Sequence, residues 1–266
     1  MNKLKAVFWD VDGTLADTEM CGHRLAFNLA FKDFDLDWNW NENKYLELLK
    51  TSGGLKRIIH YRNEINSTLS EDQCSKIQER KRFHYKNLIH SGKINVREGV
   101  LRLINELSSF KIEQFIVTTS GRDSLEPFLK TSLSSHLNCF SGIVTYEDVS
   151  KHKPSPDAYK LALQLSNKSE KNCIAIEDSI IGVEAAKAAN LNCLMTLPPW
   201  SSSNKYISKK ANACVTSLGN INKPSKIIYG NTIMAGSHFL NRFGGIIFSP
   251  LGRPDNPTRR FSSTVN

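Results

Sequence analysis

The 266-residue sequence has six cysteines, Cys21, Cys74, Cys139, Cys173, Cys193 and Cys214, but no C-x-x-C pair among them. That excludes a zinc ribbon and a redox dithiol, and reduced, mostly buried thiols are expected. No apolar run approaches the roughly 18 residues a membrane span needs. The start, Met1 to Asp10, meets an acidic residue after four apolar or small ones, too few for the core of a secretory signal. A cytoplasmic location without a membrane partner is the expectation. The formal net charge is +9, yet no stripe of Lys and Arg interleaved with aromatics marks a nucleic-acid groove. From Gly219 onward Lys223, Lys226, Arg242, Arg253, Arg259 and Arg260 face Asp255 alone, so this tail holds +5 of the +9. Residues 1–218 are only mildly basic, and nucleic acid is not an expected partner.

What is present is an ordinary folded composition, 40% hydrophobic and 23% charged, which excludes disordered and fibrous classes. Short buried-strand patterns occur at Ala6 to Trp9, Phe115 to Thr118, Ile143 to Thr145, Cys173 to Ile176, Leu194 to Leu197 and Ala213 to Thr216. Helix-period segments between them, such as Val100 to Leu107 and Val183 to Ala189, predict an α/β fold with a Rossmann-like, doubly wound parallel sheet. Residues 20–92 break the alternation. Leu25, Leu29, Tyr45, Leu46, Leu49, Ile58 and Ile59 there lie at helical spacing, which predicts a helical insert after the first strand. The expected organisation is a core of residues 1–19 and 93–218, a helical cap over 20–92, and an extension over 219–266 with a disordered end. An insert at that point lies over the carboxyl ends of the strands, where open α/β sheets place ligands, and is a candidate lid.

The chemistry-bearing string is Asp10-Val-Asp12-Gly-Thr14-Leu-Ala-Asp17-Thr-Glu19, directly after the first predicted strand. Two carboxylates two residues apart on a turn can face one cavity, as phosphoryl transfer requires: one attacks phosphorus and the other handles the proton of the leaving or attacking oxygen. Asp10 is the candidate nucleophile and Asp12 the candidate acid/base. Gly13 allows a tight turn that leaves amides free for phosphate oxygens. An acidic surface turn would present the same Asp-x-Asp. Glu177-Asp178 follows another strand pattern, and with Asp10 and the Asp12 carbonyl it would complete a Mg²⁺ site; Asp178 with Ser179 also suits a helix cap. Thr118-Thr119-Ser120-Gly121-Arg122 offers a hydroxyl and amides at a helix start, suited to phosphate oxygen or to capping. Lys153 supplies the cation that crowded anions need. His23 and Arg24 lie close in sequence to Asp17 and Glu19, within reach of substrate or on a solvated helix face.

Asp10-x-Asp12-Gly-Thr-Leu, Thr118, Lys153 and Glu177-Asp178 resemble, in order, the four motifs of the haloacid dehalogenase superfamily, and the helical insert resembles its C1-cap branch. The resemblance covers about residues 4–218. Ala26 to Phe31, Asp37 to Trp40, Tyr45 to Leu49 and Ser52 to Arg57 resemble CbbY-type phosphatases. That resemblance implies a Mg²⁺-dependent enzyme acting on a small sugar phosphate, notably xylulose-1,5-bisphosphate, a misfire product that inhibits Rubisco. It implies substrate contacts from Glu19, from Ser52, Gly53, Gly54 and Lys56 of the cap loop, and from Thr119, Ser120 and Arg122. In the family the Gly-Gly is usually followed at once by Lys; here Leu55 intervenes, so either Lys56 or Arg57 takes the second phosphate or the specificity differs. A sugar phosphomutase of the β-phosphoglucomutase kind and a non-catalytic interaction module are the alternatives. A monomer is expected.

Overall fold

The computed structural model describes residues 4–51, 53–201, 209–220 and 224–230. Strands β1 (Ala6–Trp9), β2 (Glu113–Val117), β3 (Gly142–Val144), β4 (Cys173–Glu177), β5 (Asn192–Thr196), β6 (Ala213–Val215) and β7 (Ile227–Tyr229) form one sheet in the order β3-β2-β1-β4-β5-β6-β7. Neighbours from β3 to β6 are parallel; β7 runs antiparallel to β6.

Alternation along the strands divides the core into two layers. Val7 and Trp9 of β1, Ile116 of β2 and Ile174 and Ile176 of β4 enter one cluster, which α5 (Val100–Ser109) and α6 (Arg122–Ser132) cover. Ala6 and Phe8, Phe115 and Val117, and Cys173 and Ala175 point the other way, under α7 (Asp157–Ser166) and α8 (Ile180–Ala188). Both faces are buried, so these strands read as continuous apolar runs and not as alternation.

The insert forms helices α1 (Arg24–Asp33), α2 (Glu42–Leu48), α3 (Gly54–Glu64) and α4 (Glu71–His90), after a π-helical turn at Glu19–His23. Its own core is Phe27, Phe31, Trp40, Tyr45, Leu48, Ile58, Cys74 and Ile77. Leu25 and Leu29 pack on the α/β core's cluster and not in the cap, because α1 is apolar on two faces. Helix α4 likewise starts in the cap with Cys74 and Ile77 but ends in the core's cluster with Tyr85, Leu88 and Ile89.

The sheet also extends past Leu218. Ile227–Tyr229, set in the tail extension by sequence, pairs with β6 through Cys214↔Tyr229 and Val215↔Ile227. Three residues at a half-exposed edge need no long apolar pattern, which is why composition marks them weakly. The expected disordered end lies outside the described residues.

Candidate active site

Parallel registers Trp9↔Ile116 and Trp9↔Ile176 align the carboxyl ends of β1, β2 and β4. Asp10, Thr118 and the Glu177-Asp178 pair therefore emerge side by side, on chain segments far apart in sequence. Asp10 is 6% exposed, and its amide still donates to the Ile176 carbonyl at 3.1 Å. The ammonium of Lys153 lies 2.8 Å from Asp10 Oδ1, 2.6 Å from Glu177 Oε1 and 2.9 Å from the Val117 carbonyl. Burial pushes the Asp10 carboxyl up to about 7 against the pull of Lys153, with Glu177 and Asp12 adding to the rise. Burial disfavours the Lys153 cation, but Asp10 and Glu177 outweigh it and hold the ammonium above its ordinary range.

Asp10, Glu177 and Asp178 each offer an oxygen within 4.8 Å of the others. Burial, then the charges of Asp10 and Glu177, drive Asp178 well above the usual carboxylate range, with Arg97 opposing. Glu177 Oε2 is buried with no hydrogen-bond partner among the described residues. Crowded hard oxygens in a buried pocket suit a divalent cation such as Mg²⁺. Two glycines permit the crowding. Gly13 turns at φ +84° and a Cβ there would sit 2.0 Å from Asp178 Oδ2; at Gly182 it would sit 1.9 Å from Glu177 Oε2.

Asp12 faces away from this cluster. Thr18 Oγ1 donates to its Oδ1 at 2.5 Å, Ser120 Oγ donates to Oδ2, and His23 Nε2 lies 3.5 Å from Oδ1. Burial opposes ionisation, but the bonds from His23, Ser120 and Thr18 prevail and hold Asp12 below the usual carboxylate range. Behind His23, which stacks on Tyr85 at 4.0 Å, Lys81 Nζ stands 2.7 Å from His23 Nδ1. Lys81 is 7% exposed, and burial pushes its ammonium down to about 7. A carboxylate, an imidazole and a titratable amine are thus in line between core and cap.

The remaining expected site residues fall in two places. Thr118 is buried and its hydroxyl accepts from the Ser120 amide at 3.0 Å; Thr119 beside it is exposed. Arg122 starts α6 on the surface, where its guanidinium grips Asp148 at 2.6 Å and its amide donates to Glu147. In the cap, Glu19 accepts from Tyr45 OH at 2.5 Å, and Arg57 donates to that same hydroxyl at 3.0 Å and to the Thr51 carbonyl at 3.2 Å. Arg57 is thus occupied and buried; Lys56 beside it is exposed, and Leu55 packs on the cap cluster. Gly53 precedes α3 and Gly54 opens it, while Ser52 lies outside the described residues. Arg24 turns to the Trp40 carbonyl and Glu42, leaving His23 alone of the pair beside the carboxylates.

Four residues escaped the sequence reading. Lys81 interrupts an apolar stripe, Cys74, Ile77, Tyr85 and Leu88, and that interruption was the legible signal. Tyr159 lies in such a stripe on α7 and passes for core. Thr18 sits inside the acidic string without a distinguishing neighbour. Arg97, 9% exposed, donates to the carbonyls of Gly13 and Leu197 and to Thr196 Oγ1 at 3.4 Å, bracing the turn after β1; an isolated arginine has no sequence signature.

The Rossmann-like core thus carries an acidic pair after β1, a lysine on its first carboxylate and a second acidic pair after β4. The family model described as haloacid dehalogenase-like hydrolase matches residues 7–196, and the chain belongs to that family. Protein CbbY of Rhodobacter capsulatus is 35% identical over 195 residues, covering 73% of this chain and 86% of that protein. The crystal structure of a CbbY mutant from Rhodobacter sphaeroides in complex with xylulose-1,5-bisphosphate is similar at TM-score 0.72 and 30% identity, covering 81% of this chain and 95% of that one. The β-phosphoglucomutase of Bacillus subtilis is 27% identical over 192 residues, covering 71% and 81%. No helix among the described residues is long and apolar enough to cross a membrane.

Proposed function

We propose that this chain is a magnesium-dependent phosphatase that hydrolyses a small sugar phosphate, a sugar bisphosphate such as xylulose-1,5-bisphosphate, through an aspartyl phosphate on Asp10. The observation that carries the reading is the buried Asp10 carboxylate, bound on Oδ1 by Lys153 at the mouth of a parallel sheet. The CbbY structure with xylulose-1,5-bisphosphate supports the substrate class.

In the first half-reaction an Asp10 oxygen bonds to phosphorus as the bond from phosphorus to the sugar oxygen breaks, and Asp12 donates its proton to that oxygen. In the second, water attacks the aspartyl phosphate, Asp12 takes the water proton, and Asp10 leaves as carboxylate. Lys153 and the Thr118 hydroxyl hold phosphate oxygens, with Thr119 and Ser120 amides in the same turn. Asp12 becomes an acid when substrate entry releases it from Thr18, Ser120 and His23. Asp10, Asp178 and the Asp12 carbonyl, with Glu177 adjoining, would hold Mg²⁺. The ion, when bound, neutralises phosphate charge. Glu19, Gly53 and Gly54 face the sugar from the cap, with Lys56 near the start of α3 the cation for a distal phosphate and Arg122 at the rim. This reading keeps the enzyme monomeric and cytoplasmic.

Phosphate release with Mg²⁺ is measured on xylulose-1,5-bisphosphate, ribulose-1,5-bisphosphate, β-glucose-1-phosphate and common hexose phosphates. Preference for xylulose-1,5-bisphosphate is expected. Isomerised glucose phosphate without net release would make the protein a mutase, and no turnover of any ester would reject the enzymatic reading.

A further inference from the structure

Lys153 uses all three of its ammonium N–H groups, on Asp10 Oδ1, the Val117 carbonyl and Glu177 Oε1. To hold a phosphate oxygen it must release one of them. The Val117 carbonyl is backbone within the sheet, and Asp10 takes up phosphorus, so the exchange turns on Glu177. That side chain is 0% exposed; among the described residues its Oε2 has no partner, so both of its hydrogen bonds fall on Oε1. One comes from Lys153. The other comes from Tyr159 OH at 2.5 Å, a neutral donor from α7, on the sheet face opposite α5 and α6. The ring of Tyr159, wholly buried and 6.4 Å from that of Phe8, lies under the lysine itself, 5.0 Å from Nζ.

We propose that Tyr159 is a positioning residue for the phosphate-transfer step. Its hydroxyl anchors Glu177 and its ring cradles the Lys153 ammonium, so that Lys153 can pass an N–H to the phosphate without leaving Glu177 unbonded in a buried site. A buried carboxylate that loses its last donor is strongly disfavoured. With Tyr159 in place, Glu177 keeps one donor throughout the exchange. The inference rests on the phosphatase reading above and concerns a side chain that never touches substrate.

The test is a double-mutant cycle on full-length protein with Mg²⁺ and the best sugar phosphate of the panel. Tyr159→Phe removes the hydroxyl and keeps the ring. It is expected to lower kcat about tenfold while KM stays within about twofold, since a hydrogen bond to a charged group is lost only where the lysine moves. In a Glu177→Gln background, Tyr159→Phe is expected to cost little further, because no buried carboxylate remains to be left without a donor. Tyr159→Leu, which also removes the ring beneath the lysine, is expected to lose more than Tyr159→Phe in the wild-type background. Unchanged kcat in Tyr159→Phe, or the same loss in both backgrounds, would overturn the inference. Wild-type protein without phosphate-ester turnover would overturn it together with the phosphatase reading; wild-type turnover with an indifferent Tyr159→Phe would overturn it alone.

Discussion

Lys81→Met is expected to make the protein more stable and a poorer catalyst. Lys81 lies buried in the apolar stripe of α4, its ammonium 5.0 Å from the Phe27 ring centroid and 4.9 Å from that of Tyr85, with no carboxylate in salt-bridge range among the described residues. Burial takes its pKa from 10.5 to about 7. A lysine whose folded pKa is depressed binds fewer protons folded than unfolded, so its cost is complete below pH 7. That cost fades as pH rises through 7 toward 10.5. At pH 7 the penalty is on the order of 4 kcal/mol, and between pH 6 and pH 9 it falls by about 3 kcal/mol. Methionine has nearly the same reach without the charge, so thermal melts of both proteins across pH 6 to 9 isolate the term. The variant should melt higher at pH 6 by roughly 10 °C, with the gap closing by more than half at pH 9. Its kcat should fall, because His23 loses the donor on Nδ1 that orients it toward Asp12. A pH-independent gap, or a variant that melts below wild type at pH 6, would refute the reasoning.

Asp10→Asn should fold normally and lose at least about a thousandfold in phosphate release, since the amide is not a competent nucleophile. Lys56→Ala should raise KM for a bisphosphate about tenfold while leaving KM for a monophosphate nearly unchanged; equal changes for both would remove Lys56 from the distal phosphate. Arg57→Ala should instead lower the melting temperature, by the equivalent of about 2 kcal/mol, since it takes a partner from Tyr45, Glu19 and Thr51 together. Gly182→Ala forces a Cβ to within 1.9 Å of Glu177 Oε2, and should lower kcat at least about tenfold even where circular dichroism is unchanged. Chelation should abolish activity, and adding Mg²⁺ back should raise the melting temperature of wild type but not of Asp178→Asn.

The sheet was legible because each inner strand is buried on both faces and writes itself as an apolar run bounded by loops. The carboxylates were legible because they follow such runs directly, at Asp10 and at Glu177. What escaped lies in side chains whose meaning depends on tertiary neighbours. Tyr159 is an ordinary apolar position until Glu177 arrives from 18 residues away in sequence. Lys81 reads as a solvated charge until α1 covers it. Periodicity showed that the face of Leu25 and Leu29 is apolar but not which body it meets. The strand at Ile227–Tyr229 was missed because an edge strand of three residues needs only backbone pairing, which composition does not record.

Helix α4 spans 20 residues, about 30 Å at 1.5 Å per residue, and belongs to both bodies at once: its first half is cap core and its last half is sheet core. The cap and the α/β body accordingly share a rigid spar, and the upper part cannot swing freely on two soft linkers. Amides along α4 should then exchange with solvent as one cooperative set with the sheet, and the slow protection expected of a domain core should run straight through the lid.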